Sequence, residues 1–334
     1  MNTAIAETNV PGLVWAYRFS SPDAAPQPLM TSNEITAAIA GDGFVWLHFA
    51  QTDVRLELTL QALGVFDTDE IVRLVSRDRH MTLSVQDATL WGVLPDCLAD
   101  LGTDAFELGR FHFVANHKLL VTVRAVPLTS MSAARTAVEH NVRLEHPIGL
   151  LGTILRSFEK RMSDWVQSLE DGIDEIEDAV FNDKTIEVRH RLSDIRRKLV
   201  QVHRVLRTQV RLFQRLDSEE LAQLPGEAET LFEALGHHFA ALDQDTYALN
   251  ERARLLFEEI EMRQQNQINN NLFILSVATA VLLPPTLVTG YFGMNTKDLP
   301  LQNLDGGSVF ATLLAVGAGL GSLLILRQLG ILRR

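Results

Sequence analysis

Between Glu258 and Thr286, residues taken alternately three and four apart fall on one side of a helix: Glu258, Met262, Gln265, Asn269, Leu272, Ser276, Thr279, Leu283 and Thr286. From Leu272 this stripe enters 21 residues without a charge, LFILSVATAVLLPPTLVTGYF, and it takes three of that segment's four serines and threonines. A face turned to lipid should not be the most polar one. Two readings account for it. The hydroxyls bond back to their own helix or join two helices; or they line a watery path, offering oxygen lone pairs to an ion, with Leu272 and Leu283 as narrow apolar constrictions that gate by dewetting. Gly293, Met294 and Asn295 follow directly, and the connection then turns into a second apolar run, SVFATLLAVGAGLGSLLIL, Ser308 to Leu326.

The elements needed to position such a stripe are two membrane-length helices. At about 1.5 Å per residue, 21 residues cross a hydrocarbon core of roughly 30 Å, and the second run supplies 19 more. Neither has the charged face that a helix on a soluble core normally keeps. Pro284 and Pro285 remove two backbone donors, so the first span should bend, and neighbours or water must satisfy the freed carbonyls. Arg263 precedes the first span and Arg327, Arg333 and Arg334 follow the second, whereas the 15-residue connection carries Lys297, Asp298 and Asp305. The positive-inside bias therefore places both termini in the cytoplasm and the connection outside.

Charge separates the rest of the chain from these spans. Met1 to Gln265 holds 40 acidic and 26 basic residues, against two and four thereafter. MNTAIAETNV shows neither the basic nor the apolar stretch of a signal peptide, and Cys97, the single cysteine, excludes internal disulfides. Short β-rich runs and helical ones alternate up to about Val126. FVWLHFA, the stretch His80 to Leu94, and Phe106 to Val126 with a turn at ANHK read as strands; Asp53 to Val65 and DTDEIVRLVSR read as helices. After Gly149 three long charged amphipathic helices follow, Ser157 to Phe181, Thr185 to Leu216 and Glu229 to Asn271, the last running unbroken into the first span.

The organisation expected is an α/β cytoplasmic domain over 1–148, a helical stalk over 149–271, transmembrane helices over 272–292 and 308–326, an external loop over 293–307 and a basic cytoplasmic tail over 327–334. Two spans supply too little wall for a pore. A conducting path requires a homo-oligomer, with the first span inside and the glycine-bearing second span packed around it.

A Gly-Met-Asn sequence at the outer end of a membrane helix, followed by a short loop and a second span, resembles the signature of the CorA metal-ion transporter family. LPPTLVTGYFGMNTKDLP and the FVWLHF strand resemble most its ZntB zinc-transporter branch. The resemblance covers nearly the whole chain, its specificity concentrated in residues 280 to 300. It implies a homopentameric funnel in the bacterial inner membrane, with the stalk helix continuing as the pore helix. It further implies that Gly293 presents its carbonyl and Asn295 its amide towards the axis while Met294 packs sideways. Neutral oxygens in five copies would bind a divalent ion through its waters without holding it too tightly to release.

By the same resemblance the transported ion is Zn²⁺, with Mg²⁺, Co²⁺ or Ni²⁺ as alternatives, and transport is coupled to protons. A dehydrated zinc site takes His, Cys and carboxylate ligands; neither span contains one, so zinc would pass hydrated or be selected elsewhere. Lys297 beside Asp298 departs from the strongly acidic loop of the magnesium branch. Lipid and further copies of the chain are the partners expected; no cofactor and no nucleic acid is.

Other polar groups have alternative readings. His237, His238, Asp243 and Asp245 are a solvated helix face or a metal site; Glu258, Glu259 and Glu261 are an acidic ring at the inner mouth or surface charge; QQNQINNN is a polar collar or interfacial polarity. His112 and His117 belong to a strand and its turn. Against the transport reading stands a membrane-anchored signalling or scaffold protein whose helices only tether it. An enzyme is the weakest class, because no nucleophile and base are paired in any pattern.

Overall fold

The structure is a computed structural model, and it describes residues 10–78, 80–99, 107–140, 142–181, 185–226, 228–294, 300 and 306–331. The chain divides into two compact units, Met1–Leu255 and Leu256–Arg334.

The first unit begins with β1 (Leu13–Phe19), β2 (Gln27–Pro28), α1 (Ser32–Ala40), β3 (Phe44–Ala50), α2 (Leu56–Leu63) and α3 (Thr68–Val75). It continues with β4 (Thr82–Gln86), β5 (Thr89–Cys97), β6 (Leu108–Ala115), β7 (Leu119–Arg124) and α4 (Thr129–Glu139). The strands form one mixed sheet of order β2-β1-β3-β7-β6-β5-β4, in which β3 and β7 run parallel and the other pairs antiparallel. Phe44 to Phe49 are buried throughout, as a strand covered on both faces should be. Val45, Leu47 and Phe49 join Ile35, Leu60 and Leu74 of α1, α2 and α3 in one apolar layer. The alternate residues Trp46 and His48 point to the opposite face, where Arg135 of α4 lies over the Trp15 ring and Glu139 accepts the Tyr17 hydroxyl at 2.9 Å.

That second face holds a polar cluster whose protons can be assigned. Arg124 Nε donates to His48 Nε2 at 2.7 Å, so the ring proton sits on Nδ1 and goes to Thr122 Oγ1 at 2.7 Å. The same hydroxyl accepts the Trp46 indole N–H at 3.0 Å and gives its own proton to the Leu47 carbonyl at 3.3 Å. Trp15 stacks on the His48 ring, 4.0 Å between centroids. Burial, then the Arg124 and Arg135 charges, holds His48 well below the ordinary histidine range, so it stays neutral.

Four helices follow: α5 (Pro147–Phe181), α6 (Thr185–Phe213), the short α7 (Ser218–Leu221) and α8 (Ala228–Phe292). In α5 the residues Phe158, Met162, Val166, Leu169, Ile173, Ile176 and Val180 are buried at steps of three and four, and in α6 Leu192, Ile195, Leu199, Val202 and Leu206 answer them. This is the spacing of paired, coiled-coil-like helices. α8 shows the same spacing at Phe232, Leu235, Phe239, Thr246, Leu249 and Ala253. Arg252 fastens it to α5 through Glu177, at 2.7 Å from Nε, and through Asp174, also at 2.7 Å.

α8 is 65 residues of continuous helix, roughly 95 Å at 1.5 Å per residue, and it runs through both prolines without a break. With α9 (Gly307–Gln328) it supplies, among the described residues, the two helices long and apolar enough to cross a membrane.

A further buried acid has a measurable signature. Leu128, the residue before α4, offers no capping side chain, and Asp96 of β5 takes that role from a distance. Its carboxylate accepts the Ser130 and Met131 N–H groups, the Ser130 hydroxyl at 2.6 Å and the Cys97 N–H at 2.8 Å. Burial outweighs these bonds and pushes the acid up to about 6. Because the folded value lies above the unfolded one, the stabilisation is complete below about pH 4 and is lost as pH rises through 6. The thermal midpoint of the wild type in detergent should therefore gain on that of D96N as pH falls from 7 to 4, the ceiling being about 3 kcal/mol for a shift of about two units. A gap independent of pH would show that Asp96 does not titrate there.

Candidate ion pathway

In the second unit the sides of α8 are unequally covered. Phe273, Val277, Ala280, Val281, Pro284, Pro285 and Val288 are partly covered, and their steps of three and four mark one face. The covering element is α9, whose covered side carries the small residues Ala311, Ala315, Ala318, Gly319 and Ser322, with Leu326 beyond them. Small residues let two helix backbones approach closely in a membrane.

The contact is tightest at the prolines. Pro284 has no N–H for the carbonyl four residues back, which is that of Ala280. Ser322 of α9 supplies the missing donor, its hydroxyl lying 2.6 Å from the Ala280 carbonyl oxygen. Pro285 likewise leaves the Val281 carbonyl without its helical donor. Gly319 sits beside it: a methyl group at this position would come within 3.1 Å of the Pro285 ring and 3.8 Å of the Val281 oxygen. The two prolines and the Gly319–Ser322 pair thus fit one another.

Glu258, Met262, Gln265, Asn269, Leu272, Ser276, Thr279, Leu283 and Thr286 all remain exposed, and Thr279, Leu283 and Thr286 lie on the side of α8 away from α9. The Gln265 amide donates to Asn269 Oδ1 at 3.4 Å, one step along the stripe. Thr279 and Thr286 donate to the Leu275 and Leu282 carbonyls at 2.8 and 2.7 Å. Self-bonding and lining are therefore compatible. A hydroxyl whose proton is committed to its own helix presents only acceptor lone pairs outward, which suits a cation or the waters around one. Thr289, off the stripe, donates to the Thr286 carbonyl at 3.1 Å.

At the end of α8 the Gly293 N–H reaches the Thr289 carbonyl at 2.9 Å, and a β-carbon there would meet the same oxygen at 3.0 Å. Met294 follows with its side chain half exposed. Asn295 lies outside the described residues, as do Lys297 and Asp298.

The remaining candidates are spread apart. His237 pairs with Glu233 and His238 with Glu159, while Asp243 faces His203 at 2.8 Å; among the described residues no three histidine, cysteine or carboxylate groups are placed to hold a metal. Glu259 is engaged by Arg263 at 2.7 Å on its own helix, and Glu258 and Glu261 are exposed. His112 is a strand residue turned to the Arg73 carbonyl at 3.0 Å and is lowered by burial, and His117 lies in the turn before β7. The sequence reading missed Ser322 as the donor to α8, although the doublet of prolines and a small residue three positions after Gly319 were both in view.

Comparison with known proteins bears on this arrangement. The family described as CorA-like Mg2+ transporter protein matches residues 41–328. The chain is 24% identical over 201 residues to the zinc transport protein ZntB of Yersinia enterocolitica, a match covering 60% of this chain and 61% of that protein. It is 19% identical to the divalent cation transporter CmaX of Pseudomonas aeruginosa, over 85% of this chain and 86% of the relative. In fold it is similar to the solved full-length CmaX protein, with a TM-score of 0.76 at 17% identity over 96% of this chain and 98% of that one. The CorA magnesium transporter from Methanocaldococcus jannaschii gives 0.66, also at 17%, over 94% and 96%. At such identities the structural likeness speaks for the fold, and the match to the family speaks for descent. With 288 of its 334 residues inside that match, the chain belongs to the CorA-like Mg2+ transporter family.

Proposed function

We propose that this chain is the subunit of a homopentameric path for hydrated divalent cations through the bacterial inner membrane, with Zn²⁺ the ion carried. The observation that carries the reading is the oxygen-bearing stripe, uncharged from Met262 to Thr286, which is left exposed along α8 and turns away from α9 at Thr279 and Thr286. A tether needs no such face. Copies arranged around an axis would bring the stripes together, with Glu258 at the inner end, Leu272 and Leu283 as apolar constrictions, and Gly293, Met294 and Asn295 at the outer mouth. Both termini lie in the cytoplasm on this reading, consistent with Arg263 and Arg327 flanking the spans.

The ion passes with its water. Zinc held directly would want imidazole, thiolate or carboxylate, and the two spans offer none. Amide and carbonyl oxygens suit a hydrated ion of either metal. Zinc rests on the likeness to proteins named zinc transport protein ZntB, and proton coupling only on the resemblance of residues 280 to 300 to that branch. Magnesium is the second reading, favoured by the family's own description.

Two measurements test this. In proteoliposomes, Asn295→Ala should cut Zn²⁺ uptake by about tenfold or more while leaving assembly intact, as expected when a specific hydrogen-bonding group is lost at a selective site; uptake equal to wild type would count for the tether. Uptake of Zn²⁺ compared with Mg²⁺, with and without an imposed pH gradient, separates the branches. Faster zinc uptake that responds to the gradient is expected. Equal rates indifferent to pH would remove zinc while leaving a divalent-cation path.

A further inference from the structure

We propose that Ser322 positions the Leu283 constriction, so that α9 sets how tightly the path closes; this rests on α8 being the pore helix. In a regular helix each turn is tied by an N–H donated to the carbonyl four residues back. The Ala280–Pro284 and Val281–Pro285 turns both lack that tie, because proline brings no N–H. Leu283 is the one stripe residue that lies within both turns, and its side chain is exposed on the side away from α9. Thr279 and Thr286 stand outside them, each with its hydroxyl bonded to its own helix.

The Leu283 segment is therefore held from outside α8. Ser322 donates at 2.6 Å to the Ala280 carbonyl, and Gly319, one turn earlier on α9, lets the second helix close on the Pro285 ring. In a bilayer the freed carbonyl has two sources of a donor, a neighbouring helix or water. Water is available only on the lumen side. Removing the Ser322 hydroxyl turns the Ala280 carbonyl towards that water, wets the turn that carries Leu283 and loosens an apolar constriction that closes by excluding water. Ser322 touches no ion. It acts through the backbone of Ala280.

The test is a double-mutant cycle on the full-length protein in liposomes, reading basal Zn²⁺ entrapment with an internal zinc dye. Ser322→Ala and Ser322→Val should raise basal flux about threefold, a change matching one interhelical hydrogen bond in a membrane. Ser322→Thr, isosteric with the valine variant but keeping the hydroxyl, should stay at the wild-type level. Pro284→Ala restores an N–H for Ala280, so in that background Ser322→Ala should change nothing. An unchanged or lowered flux in Ser322→Ala, or an equal rise with and without Pro284, overturns the proposal. Should Pro284→Ala fail to assemble, the threonine and valine pair decides alone, and equal flux from the two overturns it.

Thermal midpoints in detergent keep the two levels of inference apart. Valine should lower the midpoint relative to threonine when Pro284 is present. Wild-type liposomes that pass neither Zn²⁺ nor Mg²⁺ would retire the pore itself, and the gating role with it, whatever the midpoints show. Flux without the threonine–valine difference would retire only the role of Ser322.

Discussion

A backbone carbonyl inside a bilayer must find its donor in the protein or in water that the protein admits, and α8 carries two, on Ala280 and Val281, whose helical donors are missing. Much of the second unit follows from that constraint. The Ala280 carbonyl draws Ser322 to within 2.6 Å, which fixes which side of α8 the second span occupies. Close approach demands small residues, and α9 supplies Ala315, Gly319 and Ser322 along the covered side. Once α9 is committed there, the opposite side of α8 is left without cover, and that is the side bearing the hydroxyls.

The same helix solves a different problem in each unit. In the first, α8 is held by burial: Phe232, Phe239, Leu249 and Ala253 leave water at steps of three and four, and the Arg252 pairs with Glu177 and Asp174 add orientation at a partly exposed site. Beyond Leu272 burial in oil gains nothing over lipid, and packing of small residues together with a single interhelical hydrogen bond takes over. One continuous helix, Ala228–Phe292, thus meets both regimes.

Legibility in the sequence tracked the range of each interaction. β3 is visible to the residue in FVWLHFA, the hairpin at 115–118 in its turn chemistry, and α8 in the absence of any glycine or proline between Gly236 and Pro284. An α/β domain was expected, but β1 was not read as a strand: LVWAYRF is almost wholly buried and so shows little of the alternation that marks a strand with one wet face. α1 was missed although Thr31 and Glu34 form a capping box at its start, a signal that nine residues of weak periodicity obscured. The His48 cluster joins strands 74 residues apart, and Ser322 reaches back 42 residues. Such pairings carry no local pattern, so the stripe was legible from spacing alone whereas the residue that holds its weakest turn was not.

What the stripe selects follows from what it lacks. Thr279 and Thr286 are acceptors by virtue of their own back-bonds, Gln265 and Asn269 share an amide contact, and none of these groups is charged. Neutral oxygens replace an ion's outer hydration at little cost and give little preference between two divalent ions of similar size and charge. Discrimination between zinc and magnesium by direct ligation would need a nitrogen, sulfur or carboxylate donor, and the spans have none. On the proposed reading, a stripe of neutral acceptors would suit hydrated cations in general, and any finer choice of metal would fall to groups at its two ends.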